Sequence, residues 1–344
     1  MTTSVAKPSS LPHALLRAGF PFLATLGMRR VTTYPMDIVM GDDDKLFVLC
    51  RADSPGLGGS NIRRTNWDDE DLDIIGGGRL LWPVQMIRDA AGTLYVSDEG
   101  SHQIIKVNQD GTDAGEWGEE GSGEGHLNRP SGIAFDADEN LLVVDTLNHR
   151  IQKFNKDGMY ISGFGTKGSG PGEFDMPWGI TVTGEGDILV VDWHNDRVQK
   201  LAADGEFIME FGSSGSGDGE FKRPAGIEID HHGDIYVADR GNNRVQQFAP
   251  DGRYVDKFIG DATLSKSGET YVRANPAVLR NREMANTEQQ KRFRGPAALR
   301  FDDQGRMYVP DFGSHRIQVY KKQAYPLTPE EIAPVPNHPT LYTV

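Results

Sequence analysis

Cysteine, long apolar runs and positive charge are what this 344-residue chain has little of. Its one cysteine, Cys50, excludes an internal disulfide and suits a reducing compartment. No stretch is long and apolar enough to span a membrane. The apolar segment at residues 11–28 is interrupted by His13, Arg17, Pro12 and Pro21 and has no small-residue cleavage site, so it does not read as a signal peptide. Lys and Arg number 36 against 50 Asp and Glu, a net charge of -14, whereas binding nucleic acid takes clustered cations. No nucleic-acid or membrane partner is expected, and the expected location is cytoplasmic.

What the chain has is a repeat. Prolines at 35, 83, 130, 177, 224 and 296 lead six blocks, spaced by 48, 47, 47, 47 and 72 residues. The clearest blocks open Pro130-Ser131-Gly132-Ile133, Pro177-Trp178-Gly179-Ile180 and Pro224-Ala225-Gly226-Ile227. An apolar strand, a polar turn and a second strand follow, ending in an Asp 15 residues after the proline: Asp98, Asp145, Asp192, Asp239 and Asp311. An Asn-x-Arg-hydrophobic-Gln step, an Asp-Gly turn and a Phe-Gly close the unit. Four short strands in such a period cannot bury both faces alone and must stack around a ring. The fold class is therefore all-β, a six-bladed β-propeller with four antiparallel strands per blade.

The last block stops after Arg316-Ile317-Gln318-Val319-Tyr320, while residues 20–27, Phe-Pro-Phe-Leu-Ala-Thr-Leu-Gly, match the strand-plus-Gly that ends the other blocks. The chain thus divides into 1–30, completing the last blade, the propeller at 31–320, and a Pro-rich tail at 321–344. Residues 261–293 form an insertion in which Asn275-Pro276 signals a helix over 276–292. This insertion, bearing Arg280, Arg282, Lys291 and Arg292, is expected to act as a lid. The Gly/Ser runs at 165–172 and 212–219 lack the Gly-Lys-Ser/Thr of a phosphate loop and read as connectors.

The segment Asp145-Thr-Leu-Asn148-His149-Arg150-Ile151-Gln152 resembles the signature of the NHL-repeat family, echoed from Asp239 to Gln246 and from Asp311 to Gln318. The resemblance covers roughly residues 31–320 and implies a six-bladed propeller, but not an activity. NHL propellers serve as binding modules or as the scaffold of a zinc lyase, and related rings include metal-dependent lactonases. Two zinc-binding histidines of that lyase follow the repeat proline. Here the position holds Met36, Val84, Ser131, Trp178, Ala225 and Ala297, which speaks against the same zinc chemistry.

Positions that break the repeat carry more information. Asp37 and Gln85 replace Gly two residues after the proline, and Glu228 and Arg300 replace small or apolar groups four after it. Together they predict a polar channel lining, either an ion-pair network or a site with Asp37 and Glu228 as base or ligands to Ca or Zn. Past each repeated Asp stand Glu99, Thr146, Trp193, Arg240 and Phe312, joined by His194, Trp178 and Trp82 on one rim. His102, His149 and His315 keep the repeat and are expected to hydrogen-bond within the turn of their own blade. Cys50 beside Arg51 could be a nucleophile, though a buried inert thiol is favoured.

The functional expectation is a small-molecule hydrolase or lyase, lactonase-like or cleaving a C–X bond. Its catalytic residues are His194, Glu228 and Asp37. Arg300, Arg240, Trp178, Trp193, Phe312, Gln85 and Glu99 are expected to bind a small anionic substrate, such as a carboxylate, under the insertion. The alternative is a non-catalytic propeller that holds a protein partner on the same rim.

Overall fold

The computed structural model describes residues 15–27, 32–51, 59–284 and 287–328. Most of the tail and part of the loop after Arg51 lie outside them. Six four-stranded antiparallel sheets form the blades of a closed ring. In the third blade, Pro130–Phe135 is innermost, followed outward by Leu141–Asp145, Arg150–Phe154 and Tyr160–Phe164. The second strand of each complete block is apolar on both sides because it lies between neighbouring blades: all of Leu141–Asp145 is buried, as is all of Ile188–Asp192.

The core is distributed over the blade interfaces. Apolar clusters fill them in turn, for example Leu142, Val144, Ile180 and Val190 between blades three and four. Closure is visible in the cluster that joins the last blade to the first, where Leu26, Tyr308, Ile317 and Val319 meet Ile38, Leu46 and Val48. Toward the axis the inner strands approach so closely that side chains have no room. A Cβ on Gly132 would collide with the carbonyl oxygen of Trp178, and one on Gly179 with that of Ala225.

The sixth blade is completed by Phe22–Leu26, which pairs antiparallel with the third strand through Thr25 opposite Gln318 and Leu26 opposite Ile317. A second joint appears outside the ring: Leu15–Gly19 pairs with Gln323–Pro326. The first residues of the Pro-rich tail form a strand because the N-terminal segment runs alongside.

Both chain ends are then tied to blade five. Arg17 grips Asp234 through Nε at 2.9 Å and Nη2 at 2.5 Å. Lys322 donates to Asp234 at 2.7 Å and also to Asp230, and all three of these side chains are almost wholly buried. Burial alone would raise the Asp234 carboxyl, but Arg17 and Lys322 more than offset it and hold it below the usual carboxylate range.

The insertion holds helices at Lys266–Arg273, Pro276–Met284 and Glu288–Lys291. Over the expected helix 276–292 the described residues form two helices, with Thr287 outside both, and the helix at 266–273, capped by Ser265 onto the Gly268 N–H, was missed. The Asn275 side chain does not cap the helix after it; it donates to the Tyr271 carbonyl of the helix before.

Two outcomes follow from the joints. Deleting residues 1–27 lowers the melting temperature by more than about 10 °C, since an interblade cluster and two strand pairings are lost; an unchanged transition would contradict the closure. The Asp234 contribution is present above about pH 4 and is lost as pH falls through its lower folded pKa. Asp234→Asn therefore flattens the acid limb of a plot of melting temperature against pH, and an acid limb as steep as wild type would remove Asp234 from the clasp.

Candidate functional site

The repeated Asp is the node from which the ring face is built. Asp145 is fully buried and accepts from the Asn128 N–H at 2.6 Å, Asn148 Nδ2 at 2.9 Å, Arg150 Nε at 2.8 Å and Gln152 Nε2 at 3.0 Å. Asp192 and Asp239 repeat this set with Asn195, Arg197 and Gln199, and with Asn242, Arg244 and Gln246. Burial pushes both of these carboxyls up, against those donors. The motif is thus one buried carboxylate with its donors, and Arg and Gln also pin the connector: Arg150 bonds the carbonyls of Gly123 and His126.

The residue one step past the Asn completes the joint. His102 Nδ1 accepts from the Arg129 N–H, His149 Nδ1 from Met176, Asp196 from Arg223, Asn243 from Gly295 and His315 Nδ1 from Tyr34. These bonds run to the following blade, not within the turn of the same blade as expected. Acceptor and donor residues alike take positive φ, 55° at His149 and 54° at Arg129.

In the channel, Arg300 bridges the two unusual carboxylates, with Nη2 at 2.5 Å from Asp37 and Nη1 at 2.6 Å from Glu228. Asp37 also accepts the N–H of Met86 at 3.0 Å, and Gln85 accepts that of Ile133 at 2.9 Å. The two residues that replace Gly thus sew their inner strand to the next one by a side-chain bond. Burial disfavours the Arg300 charge, yet Asp37 and Glu228 outweigh it and hold its pKa above the ordinary arginine value. The channel shrinks to about 20 Å³ between Gln85, Trp178 and Arg300, room for about one water.

These four residues meet at the axis, but as an ion-pair network. A cation would have to displace Arg300, and no three His, Cys, Asp or Glu side chains converge elsewhere among the described residues. The residues do not fit the expected Ca or Zn ion. Asp37 and Glu228, expected to be catalytic, are both engaged by Arg300, and Gln85, expected with Arg300 to bind substrate, accepts the Ile133 N–H.

Above the channel opens a cup of about 540 Å³. Its wall holds Trp82, Trp178 and Trp193 with Arg51, Arg129, Arg223 and Arg240, and its carboxylate is Glu99. Glu99 is engaged by Arg51 Nη2 at 2.5 Å, and both side chains are buried. The Arg51 Nε has no hydrogen-bond partner among the described residues. Arg129, Arg223 and Arg240 have no carboxylate partner among the described residues.

Aromatic rings hold these guanidinium groups instead: Arg51 lies 4.2 Å and Arg129 5.8 Å from the Trp82 ring, Arg223 5.4 Å from Trp193, and Arg240 4.8 Å from Phe312. Burial and the nearby Arg51 charge hold Arg240 below the ordinary arginine range, against the pull of Glu99. Burial does the same to Arg51, where Arg129 adds to it and Glu99 opposes.

Of the rim residues expected from sequence, Glu99, Trp178, Trp193 and Arg240 line the cup, and Phe312 supports Arg240. His194 stands outside the lining, stacked on Trp193 at 4.6 Å with Nδ1 at 3.5 Å from Asp175. Its expected role as general base has no geometric support. No residue of 261–293 lines the cup. Lys266 and Ser267 instead bind Asp68 and Asp69 in the turn between the outer two strands of blade one. Cys50 is buried and its thiol is pushed up to about 12 by burial, as fits an inert side chain. Arg129 and Arg223 were missed. The signal was available, for both stand just before a repeat proline, the position of Trp82, Met176 and Gly295.

A larger depression of about 800 Å³ lies on the opposite face between blades four and five, near His231 and His232. Its Lys200 and Arg253 are paired with Asp187 and Asp251, leaving no surplus charge to match the cup's.

The NHL repeat model matches residues 127–154, 174–201 and 221–248. Three of the six blades carry NHL repeats. Among solved structures, a streptogramin B lyase is similar at 13% identity and TM-score 0.57, over 88% of this chain and 98% of that one. A catalytically inactive virginiamycin B lyase from Staphylococcus aureus with quinupristin gives 13% identity, TM-score 0.55 and 91% and 90% coverage. A nidogen/laminin complex is similar at 15% identity and TM-score 0.50, over 66% and 80%. At these identities the NHL propeller shares with them its fold. No curated protein sequence matches it.

Arg300→Leu leaves Asp37 and Glu228 without their cation, so urea unfolding reads a loss of about 3–5 kcal/mol; a loss below about 1 kcal/mol would mean that the network does not hold the axis. Arg223→Gly, at φ 48°, relieves left-handed strain and raises stability by about 0.5–1 kcal/mol. A destabilised glycine variant would place the Arg223 side chain in the scaffold, not the site.

Proposed function

We propose that this NHL propeller binds a small anionic molecule with a flat apolar portion in the arginine–tryptophan cup. One observation carries the reading: four arginines and one carboxylate line the cup of a chain whose net charge is -14. Three of those cations are without an acidic partner among the described residues. Grouping like charges in a recess is unfavourable unless an anion completes it. The indole faces of Trp178 and Trp193, 5.5 Å apart, offer stacking area, and the volume suits a metabolite-sized ligand. Arg51, at the base of this set, is only 7% exposed and within reach of a small ligand rather than of a flat protein surface.

The geometry supports binding more strongly than turnover. Asp37 and Glu228 are held by Arg300, and His194 lies outside the lining. For the narrower reading as a hydrolase or lyase, Glu99 is the available proton acceptor. An incoming anion that takes over Arg51 would release the Glu99 carboxylate beside it, where it could accept a proton.

Quenching of tryptophan fluorescence by benzoate measures the site, since three of the five tryptophans line it. Arg240→Gln is expected to weaken benzoate at least tenfold, about 1.4 kcal/mol, and salt to weaken the wild type. Glu99→Gln tightens benzoate by removing the opposing charge. Equal affinities in wild type and Arg240→Gln would end the proposal.

A further inference from the structure

We infer that the cup's ligand is a small dicarboxylate whose two acidic groups lie on opposite sides of a flat spacer. This rests on the cup being an anion site and adds the charge and shape of the anion.

The arginines fall into two groups by blade. Arg51, at the end of the second strand of blade one, and Arg129, just before blade three, both lie over Trp82 at the start of blade two. Arg223 and Arg240 both belong to blade five, one before its proline and one after its Asp239. In a ring of six, blade two stands opposite blade five, so the cup has two cationic poles facing each other. Tryptophans 178 and 193 of blade four form the wall between them. The poles are close enough for Arg51 and Glu99 to act electrostatically on Arg240.

A single carboxylate satisfies one pole and leaves the other uncompensated. Two carboxylates on a rigid planar spacer satisfy both, and the spacer lies along the indoles. The poles are not alike, because Glu99 offsets part of the charge at Arg51. Even so, Arg51 is nine-tenths buried with its Nε unpartnered among the described residues, which marks a donor still to be met. At the Arg223 pole no acid lines the cup, because Asp196 is turned to the Arg223 N–H and the Ser214 hydroxyl, and this pole takes the stronger share of the ligand's charge.

The test compares benzoate with phthalate, isophthalate and terephthalate, read by tryptophan quenching on the full chain. The expected result is that terephthalate or isophthalate binds at least tenfold more tightly than benzoate, while phthalate, with adjacent carboxylates, stays within about threefold of it. Arg129→Gln and Arg223→Gln each reduce the preferred dicarboxylate to the benzoate level. Both side chains are exposed, so unchanged melting temperatures are expected to accompany the loss. Equal binding of benzoate and all three dicarboxylates would overturn the two-pole arrangement while leaving an anion site in place. Failure of every probe to bind would overturn both.

Discussion

A carboxylate taken wholly out of water and then surrounded by donors is the interaction on which this ring face depends. Burying Asp145, Asp192 or Asp239 is unfavourable unless the connector N–H, the Asn amide, the Arg guanidinium and the Gln amide all arrive together. Each node fixes two places at once. The residue after the Asp becomes Glu99, Thr146, Trp193, Arg240 or Phe312. The connector residue beside the bonded N–H becomes Arg129, Met176, Arg223 or Gly295. More than half of the cup is drawn from these two sets, so much of its geometry is inherited from the scaffold and its chemistry from substitutions the scaffold does not notice.

The architecture was legible because its causes are local and repeated. A 47-residue spacing, an Asp at a constant offset and an Asn-x-Arg-hydrophobic-Gln step leave little choice but blades, and the missing strand pointed to residues 20–27. The site was legible only in part. Breaks in the pattern correctly brought Asp37, Glu228 and Arg300 to the axis, yet spacing cannot distinguish a carboxylate free to react from one 2.5 Å from a guanidinium. Arg129 and Arg223 went unread because they sit next to a proline in Gly-rich connectors, where a side chain attracts no notice until positive φ turns it inward. The insertion misled for a similar reason. Its cations suggested an anion beneath it, but Lys266 is spent on Asp68 in a turn of blade one.

Charge in this molecule is sorted by place. The chain carries a net charge of -14, the axis holds one cation between two anions, and the cup gathers four arginines around Glu99. The cup arginines differ in exposure: Arg51 is buried beside Glu99 and Trp82, while Arg129 and Arg223 reach solvent. An anion entering the proposed site would meet the outer cations in water first and the buried one, where charges act more strongly, last.

The closing strand, Phe22–Leu26, is separated from its partner, Arg316–Lys321, by nearly the whole ring. Blades one to five each draw their four strands from one continuous stretch, but the sixth has no outer edge until these two distant segments meet. Until then Leu23 and its neighbours form an unclaimed β-edge, open to pairing with the same segment of another copy. Two copies that exchange this strand would each close the other's ring, so a swapped dimer is the expected side product of refolding at high concentration.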